Sequence, residues 1–308
     1  MKQAYVSVVL RWERDVTLAT LRALDAVVAG EARAHEIVLV CSPQDAPELR
    51  RTGILDTGAI SGPLSVVVTW HNTSHDQATL AGLARAAGDF VLEWNANPAD
   101  LTSEVLGAAL AATDEGFEVV EVVPERVAAL SRLFFSLANS FRPRAAPLVP
   151  SVARLFSRRG LDAALQGSIP SASRTLMVAD MGLPRTELRF PLRYRSDHSY
   201  RDRRGEALTV MTRGTNAARV VPLAVSLVLG AVAFGSAVFA AVLYFVRGQA
   251  PEGWTTMMVV MGLGLATLIG FVAVLYERVD SLTRTADPQH LVSNVLVVAS
   301  LEELRDED

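Results

Sequence analysis

Two long stretches without a charged residue constrain this chain more than any other feature. Residues 220–246 form an uncharged run of 27, and residues 254–276 one of 23. At about 1.5 Å per helical residue, either run is long enough to cross a hydrocarbon core of roughly 30 Å. A pair of buried core helices is the other reading. Uncharged runs of this length are uncommon in soluble domains, so the pattern predicts a transmembrane hairpin. Residues 247–253 connect the runs and are too few for a domain, so both flanks are expected on one side of the membrane. Arg201, Arg203, Arg204, Arg213 and Arg219 precede the first run, and Arg278 and Arg284 follow the second. The short connection holds only Arg247, offset by Glu252. The positive-inside rule therefore predicts cytoplasmic termini and a cytoplasmic soluble part in an integral membrane protein. The first residues read as a short strand, broken by Arg11, Glu13 and Arg14, and not as a signal peptide.

The rest of the chain alternates short β-rich runs with helical patterns. Strands are expected over residues 5–10, 36–41, 64–70, 90–94 and 118–123. Helices are expected over 15–29, 76–87, 101–113 and 127–141. Such alternation implies a Rossmann-like α/β domain, its mostly parallel sheet covered on both faces. Ligands of these sheets bind beyond the carboxyl ends of the strands, here the segments after Leu10, Cys41, Trp70 and Trp94. The expected layout is an α/β domain over 1–200, a juxtamembrane segment over 201–219, the hairpin over 220–276 and a tail over 277–308. Residues 127–141 mix leucines and phenylalanines with Arg132 and are followed by Arg142 and Arg144. That pattern suits either a core helix with a basic end or a helix lying in a membrane interface. The lone Cys41 has no disulfide partner in the chain and no metal-ligand spacing. A net charge of −4 argues against a nucleic-acid partner.

Read in order, the parts resemble the family 2 glycosyltransferases of the dolichyl-phosphate mannose synthase and undecaprenyl-phosphate sugar transferase type. The first strand sits where that family has V-S-V-V-I-P. Ala81-Gly82-Leu83 and Ala86-Ala87-Gly88-Asp89-Phe90-Val91 match its A-G-L … A-R-G-D-x-V, and Arg154-Leu155-Phe156-Ser157-Arg158 its R-L-x-x-R. Pro222-Leu223 and Gly253-Trp254-Thr255 open the uncharged runs as P-L and G-W-T do there, and Leu275–Arg278 and Pro288 fall near its G-E-Y-x-x-R and R-P-x-Y. The resemblance implies a nucleotide-sugar glycosyltransferase domain followed by a two-helix hairpin. It also implies transfer of a sugar from a nucleotide diphosphate to a polyprenyl phosphate at the cytoplasmic leaflet, with Mg²⁺ or Mn²⁺ if the chain is active.

The departures fall on the chemistry. The family's D-A-D, whose aspartates hold the metal against the donor diphosphate, aligns with Asn95-Ala96-Asn97. A hard divalent ion wants anionic oxygens. At an effective dielectric of about 20, one charge pair near 4 Å is worth roughly 4 kcal/mol. Asp100 remains nearby as a weak substitute ligand. P-x-Y-N-E after the first strand is here Arg11-Trp12-Glu13-Arg14-Asp15, and the nucleoside-reading V-D-D-G-S-T-D is Val40-Cys41-Ser42-Pro43-Gln44-Asp45. The acceptor-side Asp of G-D-F-R-L is Val152, which is neither base nor ligand.

The implied protein is therefore a catalytically degenerate member that binds no metal. It would act as a binding or assembly subunit, as a homo-oligomer or beside a related transferase or membrane partner. An active transferase is the alternative. Arg154, Arg158, Arg193 and Arg195 are the candidates for a lipid phosphate, since guanidinium forks suit phosphate. Membrane lipid, polyprenyl phosphate included, is the expected partner. His71 and His75 could ligate a metal with Asp76 or Asp45, although surface polarity in a loop leading into a helix explains them better. Glu93 reads as a charge on the sheet face.

Overall fold

The computed structural model describes residues 2–13, 15–55, 58, 60–70, 73, 75–142, 146–166, 174–192, 210, 217–247 and 253–285. They fall into two units, one within residues 1–208 and the other within 209–286.

The first unit is built on a seven-stranded sheet. Its strands are β1 (Lys2–Arg11), β2 (Ala32–Cys41), β3 (Leu64–Val68), β4 (Phe90–Trp94), β5 (Val119–Pro124), β6 (Ala153–Ser157) and β7 (Arg185–Phe190). They lie in the order β3-β2-β1-β4-β6-β5-β7. All pairings are parallel except those of β6, which runs antiparallel to both β4 and β5. The helices are α1 (Leu18–Glu31), α2 (Ala46–Arg51), α3 (His75–Arg85), α4 (Ser103–Asp114), α5 (Ala129–Ser140), α6 (Arg158–Gln166) and α7 (Arg174–Asp180). The mostly parallel α/β reading of the sequence describes this unit. β6, β7, α2, α6 and α7 were not legible as elements.

Two apolar layers account for the near-continuous Val/Leu/Ile runs of the inner strands, which are buried on both faces. One layer joins Val6, Val8, Leu10, Leu21, Leu24, Leu39, Trp94 and Leu106; the other joins Val9, Val38, Val40, Leu83, Val91 and Phe156. Trp94 and Phe156 are fully buried, and burial of such a side chain stabilises by about 1.5–3 kcal/mol. A capping box starts α1: Thr17 Oγ1 accepts from Thr20 N at 3.2 Å, and Thr20 Oγ1 accepts from Thr17 N at 2.9 Å. Helix α3 lies flush on β1 and β2 because residue 82 is glycine; a Cβ there would come within 2.7 Å of Val9 Cγ1.

The second unit is a pair of helices, α8 (Ala217–Arg247) and α9 (Trp254–Thr285). They contain both uncharged runs whole. Ser226 Oγ donates to Ala266 O at 2.7 Å, and Gly262 lets Ala233 approach closely enough that a Cβ would lie 2.7 Å from it. Among the residues whose side chains are described, no helical stretch is long and apolar enough to cross a membrane. The transmembrane hairpin expected from the sequence is therefore not found among the described residues.

Candidate functional site at the carboxyl ends of the strands

β1, β2 and β3 end around a cavity of about 230 Å³ lined by Arg11, Ser42, Gln44, Asp45, Thr69 and Trp70, among others. Trp70 presents an exposed ring there, and Arg11 brings a cation whose Nη1 lies 2.7 Å from His75 Nδ1. Asp45 Oδ2 accepts from Ser42 Oγ at 2.6 Å, closing the β2–α2 turn. Cys41 at the cavity wall is buried, and burial, with the Asp45 charge beside it, pushes its thiol up to about 12. It is inert as a nucleophile at neutral pH.

Beside the cavity, β4 ends on a network of buried charge. Glu93 has no exposed surface. Its Oε1 accepts from Asn95 Nδ2 at 2.6 Å and from Arg174 Nη1, and lies 3.5 Å from Arg154 Nη1. Arg174 opens α7. Its Nε donates to Asp76 Oδ1 at 2.6 Å, its backbone N–H to Asp76 Oδ2 at 3.3 Å, and its Nη1 to Asn95 Oδ1 at 3.4 Å. Across the antiparallel strand, Arg154 is in register with Glu93 on one side and Glu121 on the other. Its Nε donates to Glu121 Oε1 at 3.3 Å and its Nη2 to Thr175 Oγ1 at 3.1 Å. Arg185 Nη1 donates to Glu121 Oε2 at 3.1 Å. Burial alone pushes the Glu93 carboxyl up, but the Arg174 and Arg154 guanidiniums and the Asn95 amide outweigh it, holding the group below the usual glutamate value.

The residues singled out in the sequence divide on this geometry. Asn95 belongs to the network. Asn97 does not: the strand stops at Trp94, so the period-two rule that would place both amides on one face ends there. Asn97 Oδ1 accepts from Ala99 N at 2.9 Å and caps the 3-10 turn Pro98–Asp100, while its carbonyl receives Trp94 Nε1 at 3.0 Å. Asp100 is exposed in that turn. Val152 is fully buried; its carbonyl accepts from Asn95 N at 3.0 Å and its N–H donates to Val122 O at 2.8 Å. Arg154 is buried in ion pairs within the sheet, an environment set by Glu93 and Glu121 and not by a surface phosphate. Arg158 points to the opposite end of β4, where Nε donates to Gly88 O at 3.0 Å and Nη2 to Ala86 O at 2.9 Å. Asp76 and Glu93, read as loop and sheet-face polarity, are buried partners of Arg174. His71, Arg193 and Arg195 lie outside the described residues.

The donor set does not fit a divalent ion. Asp76 and Glu93 face a guanidinium, Asn95 supplies a neutral oxygen, and Asn97 is turned away. Among the described residues, no group of three or more His, Cys, Asp or Glu is placed to hold a metal.

No family model matches the sequence, and neither does any curated protein. Solved structures similar to this chain include glucosyl-3-phosphoglycerate synthase from Mycobacterium tuberculosis with Mn²⁺, UDP-glucose and glycerol 3-phosphate. That match has 15% identity and a TM-score of 0.46, and it covers 68% of this chain and 78% of the other. The same enzyme with Mg²⁺ and UDP matches at 17% identity over 68% and 77%, with a TM-score of 0.43. A further mycobacterial protein matches at 16% over 68% and 74%, with a TM-score of 0.45. Likenesses at this level establish no shared activity.

Proposed function

We propose that this chain is a membrane-anchored, glycosyltransferase-like protein without metal-dependent sugar transfer, acting as a binding or assembly subunit. The observation that carries the reading is the use of the two amides. Asn95 is tied to Glu93 and Arg174, and Asn97 caps a turn, so neither is available to grip a diphosphate-bound cation. The ordered landmarks of the sequence support the family resemblance. The uncharged runs support a two-helix anchor with cytoplasmic termini. Polyprenyl phosphate or another membrane lipid is the proposed ligand, and a second copy or a related transferase the proposed partner.

Helix α5 adds to the membrane reading. Its Leu130, Leu133 and Leu137 are 79%, 65% and 47% exposed. This stripe at helical spacing is flanked by the exposed Arg126 and Arg132. A core helix would bury those leucines; an apolar stripe edged by arginines suits the boundary between acyl chains and anionic headgroups.

The cavity beyond β1–β3 favours the alternative, an active transferase whose site works without a metal, since a pocket with an aromatic face and an arginine persists there. Calorimetric titration of detergent-purified protein with UDP-hexoses and Mn²⁺ separates the readings. The subunit reading expects no turnover and no metal-dependent nucleotide binding. Hydrolysis or transfer of a nucleotide sugar would overturn it in favour of the alternative.

A further inference from the structure

We propose that the guanidinium of Arg174 is the resident cation of the site at the end of β4, standing where a divalent ion would have to sit and excluding it. The proposal rests on the reading of this strand end as the ligand site. Its subject is the cation, and it holds whether or not catalysis survives.

Arg174 does what a bound ion would do here: it collects oxygens from separate elements around one positive charge. Asp76 comes from the first turn of α3, Glu93 from β4 and Asn95 from the residue after the strand. The contacts are Asp76 Oδ1 at 2.6 Å, Glu93 Oε1, and Asn95 Oδ1 at 3.4 Å. The side chain is 8% exposed, and those of Asp76 and Glu93 are 6% and 0% exposed. Two buried carboxylates in an apolar surround need compensation. Arg174 supplies one charge, and Arg154, 3.5 Å from Glu93, contributes another that it shares with Glu121. A metal ion added to this set would meet carboxylates already neutralised and a guanidinium in its place.

Glu93 Oε2 is buried and has no hydrogen-bond partner among the described residues. Here Arg174 and Asn95 both donate to Oε1 and leave Oε2 without a donor, so a chain lacking the guanidinium has both oxygens of this carboxylate open to a spherical ion.

Full-length protein in detergent is titrated with Mn²⁺, and free Mn²⁺ is read from its paramagnetic resonance signal. Wild type and Arg174→Lys are expected to bind no Mn²⁺ below millimolar concentration. Arg174→Met, which bares Asp76 and Glu93, is expected to bind it roughly tenfold or more tightly, and adding Glu93→Gln to that variant removes the gain. Circular dichroism establishes that each variant is folded. A second arm keeps Arg174: Asn95→Asp with Asn97→Asp restores both acids of the motif and is still expected to bind no Mn²⁺. Binding by that variant, micromolar binding by wild type that Asn95→Ala abolishes, or a folded Arg174→Met that gains nothing would overturn the proposal. Metal-free turnover of a UDP-hexose by wild type would leave the cation assignment standing and sink only the non-catalytic reading. Mn²⁺-dependent turnover would sink both.

Discussion

Arg174 and Glu93, 81 residues apart in the chain, meet as a buried ion pair at the carboxyl end of β4. Neither charge has water to fall back on, so removing one partner costs more than the pair itself is worth. Arg174→Met leaves Asp76 without its arginine and Glu93 with Arg154 alone. It is expected to destabilise the α/β unit by about 3–5 kcal/mol in urea unfolding. Glu93→Gln keeps the Arg174–Asp76 contact and should cost less. The double variant should cost less than the sum of the two, since each single change leaves a charge that the other would remove. Strict additivity would show that the pair is not coupled.

The same glutamate predicts a pH dependence. Its carboxyl is held below the ordinary value of 4.5 in the folded protein, because Arg174, Arg154 and Asn95 overcome the effect of burial. A group whose pKa falls on folding stabilises the native state above its unfolded value. That contribution is lost as the pH drops through the folded value. Wild type should therefore exceed Glu93→Gln in unfolding midpoint by its full margin near neutrality, and the margin should shrink as the pH falls below about 4.5. A margin that is constant down through that range would mean that the carboxylate is not what the network stabilises.

Gly88 separates packing from chemistry within the family resemblance. A Cβ at this position would lie 2.7 Å from Ser7 N and 2.8 Å from Tyr5 O. Its N–H donates to Ser7 Oγ at 2.7 Å, while Asp89 Oδ2 accepts from Tyr5 N at 2.9 Å. The obstacle is mainly backbone, which cannot swing aside. Gly88→Ala should destabilise by about 1–3 kcal/mol, as overpacked cores do. Ligand binding at the opposite end of the strands should be unaffected in the fraction that folds. A neutral Gly88→Ala in thermal unfolding would remove the steric explanation of this landmark.

The parallel strands and the helices between them could be read because burial on both faces writes long apolar runs, as in Val6–Leu10 and Ile37–Cys41. β6 and β7 escaped for opposite reasons. β6 is five residues long and contains Arg154, which only looks like a strand residue once Glu93 and Glu121 are known to flank it. Among the described residues, β7 pairs only with β5, and its Arg-Thr-Glu-Leu-Arg-Phe is a mostly polar run of the kind that short loops share. In the site, Asn95 and Asn97 were legible as missing acids, but their separate uses were not, because the end of β4 after Trp94 sets them. A signal for the ion network was present: Glu93 between Leu92 and Trp94, and Glu121 within Val-Val-Glu-Val-Val, are acids in apolar strands and demand buried cations. Arg154 answers that demand from the facing strand. Arg174 answers it from far along the chain, after a serine-containing segment, and nothing local marks it.

The orientation of the anchor is the most direct test of the membrane reading. The arginines flanking the uncharged runs outnumber those of the short connection, and such residues resist translocation. Cysteine introduced at Gln249 should react with a membrane-impermeant maleimide added to intact cells. Cysteine at Arg305 should react only after permeabilisation. The native thiol does not confuse the result, because Cys41 is buried and its thiol is pushed up to about 12. Labelling at 305 but not 249 from outside would invert the topology and place the strand-end cavity away from cytoplasmic nucleotides. Labelling of both sites in intact cells would mean that the chain does not span the membrane as a hairpin, and the uncharged helices would then have to be buried against protein.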